Sequence, residues 1–191
     1  MLKDYIILDN ALDDPDKLID LAKTISYHSS GDMKIKNVKL CPPDEDKSLV
    51  CGNWKGFRSN PLWSINPEYS NEILFQIFSK ILLPEITVEW NVDSHLHYFP
   101  KGLKYGDWWW HKDEVFMAGV LYLNKNPKKY SGTIVKINGT DVVLDNVFNR
   151  FVLYNSLLEH RPQSGFGTKD TDARLTLTVF VNTLKFGRIN S

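Results

Sequence analysis

A mainly β fold of the jelly-roll type, with flanking helices, is predicted by three observations. Two segments with helical apolar spacing come early, about eight short strand-like runs follow from Ile86 onward, and Gly, Pro, Asn and Lys punctuate those runs. The 191 residues, 42% hydrophobic and 24% charged, suffice for a single domain spanning 1–191 with a real core. Its helices belong to the N-terminal side, and its barrel strands fall mainly within 86–182.

The first helix is announced by Asp14 as cap and Pro15 as first helical residue, followed by an apolar stripe of Leu18, Ile19, Ala22 and Ile25. A second is expected after Ser70, with Ile73, Leu74, Ile77, Phe78 and Ile81 buried. Between them, Cys41-Pro42-Pro43-Asp44-Glu45-Asp46 and Ser59-Asn60-Pro61 read as loops. Alternation and β-branched content then predict strands over 86–91, 95–99, 108–113, 115–122, 132–137, 142–144, 150–154 and 173–181. Such a set closes most simply as an antiparallel barrel or jelly roll with the helices outside. Met117 and the aromatic residues around it read as core.

Charge and composition narrow the function classes. Twenty-three basic and 23 acidic residues cancel, so nothing in the net charge draws the chain to DNA or RNA. No long apolar run suggests a membrane span, and Met1-Leu2-Lys3-Asp4-Tyr5 turns acidic at once, unlike a signal peptide. Two cysteines, Cys41 and Cys51, do not make a disulfide scaffold, so reduced thiols and a cytoplasmic setting are expected.

Chemistry concentrates at Trp109-Trp110-His111-Lys112-Asp113. On a strand, residues two apart share a face, so His111 and Asp113 would project together with Lys112 on the other side. His160, at the end of the run from Arg150 to Glu159, is the best-placed third group, and two imidazoles with one carboxylate suit ferrous iron. The same spacing also fits a hydrogen-bonded His–Asp pair without metal, with His160 in a polar loop. His95 and His97 offer a second pair at the same spacing, as a cupin-like metal enzyme would use, whereas His28 lacks a partner. A further alternative is a metal-free jelly-roll binding module using the Trp108-Trp109-Trp110 cluster. Three successive tryptophans cannot share a face: Trp109 goes with His111, and Trp108 and Trp110 face away.

Further motifs carry a resemblance. His97-Tyr98-Phe99-Pro100, His111-Lys112-Asp113, the run VLYLN from Val120, Ser131-Gly132-Thr133, FVLYNSLLEHRP ending at Pro162 and DARLTLTVFV ending at Val181 come in a telling order. With Leu8-Asp9-Asn10-Ala11-Leu12 at the start, the chain resembles the Fe(II)- and 2-oxoglutarate-dependent oxygenases, particularly their prolyl-hydroxylase-like branch. The resemblance implies a double-stranded β-helix (jelly roll), with His111, Asp113 and His160 as ligands of Fe(II). It implies 2-oxoglutarate as cosubstrate, held by Arg174, Thr176 and Tyr98. A planar guanidinium can grip a carboxylate through two hydrogen bonds, and Thr176 shares the Arg174 face of its strand. The implied activity is a dioxygenase that uses molecular oxygen on a small-molecule or peptide substrate, an amino-acid side chain with a prolyl group foremost. This sequence departs from the branch in its long stretch between Pro100 and His111 and in Arg174, where lysine is common.

Overall fold

The computed structural model describes residues 4–28, 56–82, 86–101, 110–168 and 172–188. Cys41, Cys51, the loop that begins at Cys41, Trp108 and Trp109 lie outside them. In chain order the elements are β1 (Tyr5–Leu8), α1 (Pro15–Thr24), β2 (Tyr27–His28), β3 (Phe57–Ser59), α2 (Leu62–Ile65) and α3 (Pro67–Ile81). Seven strands follow: β4 (Ile86–Phe99), β5 (Met117–Tyr122), β6 (Thr133–Ile137), β7 (Thr140–Leu144), β8 (Phe151–Asn155), β9 (His160–Pro162) and β10 (Arg174–Arg188).

Helix α1 starts where the sequence placed it. The Asp14 carboxylate accepts from Lys17 N at 3.3 Å, Pro15 occupies the first turn, and Leu18 and Ala22 are buried. Ile25 is already extended at the C-cap, yet it still packs against the core. Helix α3 begins before Ser70, because Asn66 caps it through Tyr69 N and Pro67 opens it, a start signal that the apolar stripe alone does not reveal.

The strands form a seven-stranded sheet, ordered β1-β8-β5-β10-β4-β3-β2, and a three-stranded sheet, ordered β7-β6-β9. All the pairings are antiparallel. The backbone of the large sheet is the β4–β10 pair, which runs from Phe99↔Arg174 to Ile86↔Arg188 with one register shift between Val181 and Thr183. Side chains alternate across this pair. Leu175, Leu177, Val179 and Val181 join Leu96, Leu121 and Leu153 against α1 and α3, burying Leu18, Ile73, Leu74, Ile77 and Phe78. On the opposite face, Ala118, Val120, Tyr122, Val152 and Tyr154 pack against Val135 and Leu144 of the small sheet. Strand β5 lies between two cores and is buried at every position.

The expected double-stranded β-helix, a jelly roll closed into a barrel, is corrected by this pairing. Mainly β architecture with flanking helices holds, but the strands make two open sheets, and β1, β2, β7 and β9 each have a strand partner on one side only among the described residues. Apolar alternation reports which residues are buried and not which strands pair, so closure was not in the pattern. The predicted strand over 108–113 is also absent from its described part, where only an isolated bridge at His111 forms. The predicted strands over 86–91 and 95–99 are one strand, β4, and β10 continues past Val181. Among the described residues no helix is long and apolar enough to cross a membrane.

Candidate metal centre

His160 opens β9, and its backbone exchanges hydrogen bonds with His111: His111 N donates to His160 O at 3.2 Å and His160 N to His111 O at 2.9 Å. Residues paired this way project to the same side, which sets the two imidazoles together with ring centroids 4.3 Å apart. Two residues on, Asp113 N donates to Ser156 O at 3.0 Å, fixing the chain so that the carboxylate turns back to the rings. Asp113 Oδ2 stands 3.2 Å from His160 Nε2, and Oδ1 stands 3.9 Å from His111 Nε2. One donor atom from each residue lies within 4.8 Å of the others. His111 and Asp113 thus share a side, although a single bridge and a backbone anchor produce it rather than a strand.

The hydrogen bonding within this cluster calls for a cation. His160 Nδ1 is 2.9 Å from the Leu158 carbonyl, which can only accept, so Nδ1 carries a proton. In the neutral ring Nε2 then presents its lone pair to a carboxylate oxygen at 3.2 Å, and two acceptors at that distance need a proton or a metal ion between them. Burial alone would raise the Asp113 carboxyl, but with a proton in that place the hydrogen bond with His160 and the positive charges of His160, His111 and Arg58 together hold it below its ordinary value. It is therefore an anion at neutral pH. His160 is almost fully buried while His111 is 40% exposed on its side chain, so the cluster opens outward on the His111 side. The Tyr154 ring lies 4.8 Å from His160, and burial, with Asp113 nearby, keeps its phenol protonated.

Arg174 and Thr176 lie on the same face of β10 as the inner core, and both are buried. Arg174 Nε donates to Ser131 O at 2.6 Å, and its guanidinium carbon is 5.5 Å from the centre of the Tyr122 ring. The Tyr122 hydroxyl is 2.9 Å from Thr133 Oγ1 and 3.1 Å from the Leu144 carbonyl, and burial raises its pKa. Thr176 Oγ1 donates to His97 O at 3.3 Å. Tyr98 is not brought to this face. The register sets Leu175 opposite Tyr98, whose ring stacks on Phe57 at 4.7 Å and meets Tyr27 edge-on at 4.8 Å, on the helix side of the sheet. Opposite Arg174 stands Phe99, and opposite Thr176 stands His97.

The sequence reading passed over Arg58, Phe99, Tyr122 and Phe180 on the inner face. Arg58 pairs with His97 in register, so the two share a side of the sheet. The alternation His95, His97, Phe99 was visible, but only the register shows that it faces Arg174 and Thr176. His95 and His97 do not join the His111 cluster, which is the metal-capable group among the described residues. His95 Nδ1 instead donates to Ser59 O at 3.1 Å, and burial first, then the nearby Arg58, pushes this imidazole down to about 4. Trp110 faces away as expected, with Lys136 Nζ 4.2 Å and the Arg161 guanidinium carbon 5.0 Å from its ring centre.

No family model and no curated protein matches the chain. Solved structures do. A prolyl hydroxylase from Trichoplax adhaerens, in complex with a hypoxia inducible factor oxygen degradation domain peptide fragment, is similar with a TM-score of 0.58 at 12% identity, over 94% of this chain and 83% of that one. An oxidoreductase of the 2OG-Fe(II) oxygenase family from Burkholderia pseudomallei gives 0.55 at 10% identity, over 94% and 84% of the two chains. The chain has the fold of the Fe(II)- and 2-oxoglutarate-dependent oxygenases. A prolyl 4-hydroxylase from Phytophthora capsici adds a TM-score of 0.50 at 16% identity, over 94% of this chain and 59% of that one. In this oxygenase fold, the two imidazole nitrogens and one carboxylate oxygen of His111, His160 and Asp113 fit a ferrous ion by donor type and spacing.

Proposed function

We propose that the protein is a dioxygenase dependent on Fe(II) and 2-oxoglutarate that hydroxylates an amino-acid side chain, free or in a peptide, with a prolyl group foremost. The observation that carries this reading is the cluster of His111, Asp113 and His160 with its donor atoms within 4.8 Å of one another. These three residues would hold the iron through two imidazole nitrogens and one carboxylate oxygen. Bound there, the metal supplies the oxidation that couples loss of carbon dioxide from 2-oxoglutarate, leaving succinate, to insertion of one atom of dioxygen into a substrate C–H bond.

The residues around the centre divide the remaining work. Arg174 has five N–H groups, and those not spent on the Ser131 and Gly132 carbonyls can grip the distal carboxylate of 2-oxoglutarate. Tyr122 and Thr133, in hydrogen-bond contact beside it, line the same end. Thr176 gives its proton to the β4 backbone, so its part is to hold Arg174's strand against His97. The Leu158 carbonyl orients the His160 ring, and the buried Tyr154 phenol and inner core exclude water. The substrate reading rests on the order of motifs and on the prolyl hydroxylase named among the similar structures, which was solved with a peptide fragment. A cytoplasmic setting, with thiols reduced, suits a ferrous centre.

The test is turnover with iron(II), oxygen and 2-oxoglutarate over free amino acids and proline-containing peptides, scored for succinate and for product mass. Succinate formation that depends on an amino-acid or peptide substrate, with one oxygen atom gained by the product, is the expected result. Absence of 2-oxoglutarate binding to the iron-loaded protein overturns the reading.

A further inference from the structure

The hydroxyls on the inner wall of the large sheet, Tyr154 aside, are engaged with the protein itself. Tyr122 meets Thr133 Oγ1 and the Leu144 carbonyl, Thr176 Oγ1 donates to His97 O, and Thr178 Oγ1 donates to His95 O at 3.1 Å. Tyr154 rises from β8 on the same wall and packs with Ala118, Tyr122 and Val135. Only 4% of the residue is exposed, and its hydroxyl makes no hydrogen bond among the described residues. Its oxygen is nonetheless not sealed from solvent. Asp113, the anion of the metal cluster, turns its oxygens to His160 and His111 instead. Phenylalanine would fill this place as well, so the fold carries a donor on the inner wall that it does not itself use.

We propose that the Tyr154 hydroxyl donates a hydrogen bond to the metal-binding end of 2-oxoglutarate, the carboxylate beside its keto group, while Arg174 takes the distal carboxylate. The inference rests on the function proposed above and deepens it by assigning a second residue to the cosubstrate. Arg174 and Tyr122 mark one level of the wall, with the guanidinium carbon 5.5 Å from the Tyr122 ring centre. Tyr154 marks another level, opposite Ala118 on β5, where its ring centre is 4.8 Å from that of His160. A five-carbon diacid held by the metal at one end and by Arg174 at the other runs along the wall between those levels, and its metal-bound carboxylate meets the phenol. The substrate comes from another direction. His160 is the closed side of the cluster, its side chain 4% exposed, whereas that of His111 is 40% exposed, so a molecule that enters last passes His111 and not Tyr154. A carboxylate that gives one lone pair to a metal keeps others for a donor, and a tyrosine hydroxyl supplies one. Such a bond to an ionised acceptor is roughly twice as strong as a neutral one.

The experiment is anaerobic titration calorimetry of the iron(II)-loaded protein with 2-oxoglutarate, in the wild type, Tyr154→Phe and Arg174→Leu. It is paired with the visible absorption band of the iron(II) 2-oxo acid chelate at saturating 2-oxoglutarate. Tyr154→Phe keeps the ring on His160 and removes only the oxygen, so iron affinity and melting temperature should stay unchanged while 2-oxoglutarate binds about tenfold more weakly. The band should shift in Tyr154→Phe, where the chelating carboxylate loses its donor, and keep its position in Arg174→Leu, which acts at the far end. Unchanged 2-oxoglutarate affinity in Tyr154→Phe overturns the proposal, and so does a band that stays where the wild type has it. A parallel loss of iron affinity also overturns it, because Tyr154 would then be a support for His160 and not a donor to the ligand. If the wild type binds 2-oxoglutarate and Tyr154→Phe binds it equally well, this inference fails alone. If 2-oxoglutarate does not bind the iron-loaded wild type, the proposed function fails and takes this inference with it.

Discussion

Arg174 is asked to support its surroundings and to hold a ligand with one side chain, and the two roles can be separated. Arg174→Leu should keep iron affinity but weaken 2-oxoglutarate by roughly ten- to hundredfold, the value of a charge-assisted contact. It should also lower the melting temperature, because the Ser131 carbonyl loses its buried donor. Arg174→Lys should restore part of the affinity; calorimetry with 2-oxoglutarate and a thermal melt read the two effects, and unchanged affinity in the leucine variant places the carboxylate elsewhere. Alanine at His111, Asp113 or His160 should each reduce iron binding, and retention in all three would remove the metal assignment. His95 yields a pH prediction. Its imidazole is down to about 4 in the fold, from burial and then Arg58, with Asp93 opposing, and returns to about 6.5 on unfolding. Between those values the unfolded chain binds the extra proton, so stability falls as pH drops through that window, by up to roughly 3 kcal/mol. His95→Asn should flatten that slope in urea melts at stepped pH. The spacing of His111 and Asp113 was legible in the sequence, because two groups so close in the chain meet under many backbone shapes. Tyr98 and Phe99 were not distinguishable without the register, since adjacent strand residues exchange faces with a shift of one.

At the scale of elements, the approach to α1 hangs on Asn149. Its carboxamide accepts from Leu12 N at 3.0 Å and donates to Leu12 O at 2.8 Å, while its own carbonyl takes Ala11 N at 2.9 Å. The residue sits at φ 58, a left-handed backbone that asparagine tolerates better than most side chains. Asn149→Gly keeps the backbone and removes both side-chain bonds, so it should cost about 1–3 kcal/mol in urea unfolding. Asn149→Ala should cost more, because it adds backbone strain, and equal costs would show that φ is not the constraint. Nothing in the local sequence marks this residue, whose partner lies on the far side of the chain. By contrast α1 was readable from Asp14, Pro15 and its stripe, and α3 was readable except for its first turn. Strands β1, β2, β3 and β9 are too short for alternation to stand out, and β9 carries His160.

For the whole molecule, strand content was legible and closure was not. Both faces of β5 are buried because one sheet has a helical layer on one side and a second sheet on the other, and burial on two sides erases the alternation that would have announced the layering. Ligand linkage acts at this scale. Iron bound only by the folded state should raise the melting temperature, with about 2.7 kcal/mol gained at a free concentration one hundred times the dissociation constant. A chelator should reverse the rise, and a melt indifferent to iron would contradict the site. The two imidazoles of the centre hang from one reciprocal pair of backbone hydrogen bonds, between His111 and His160. Whatever grips both rings must therefore also clamp the main chain that ties the small sheet to the segment leading into β5. Deuterium uptake at those two amides, and at Asp113 N on the Ser156 carbonyl, becomes the main chain's own gauge of metal occupancy: slow exchange with iron bound, fast exchange after it is stripped.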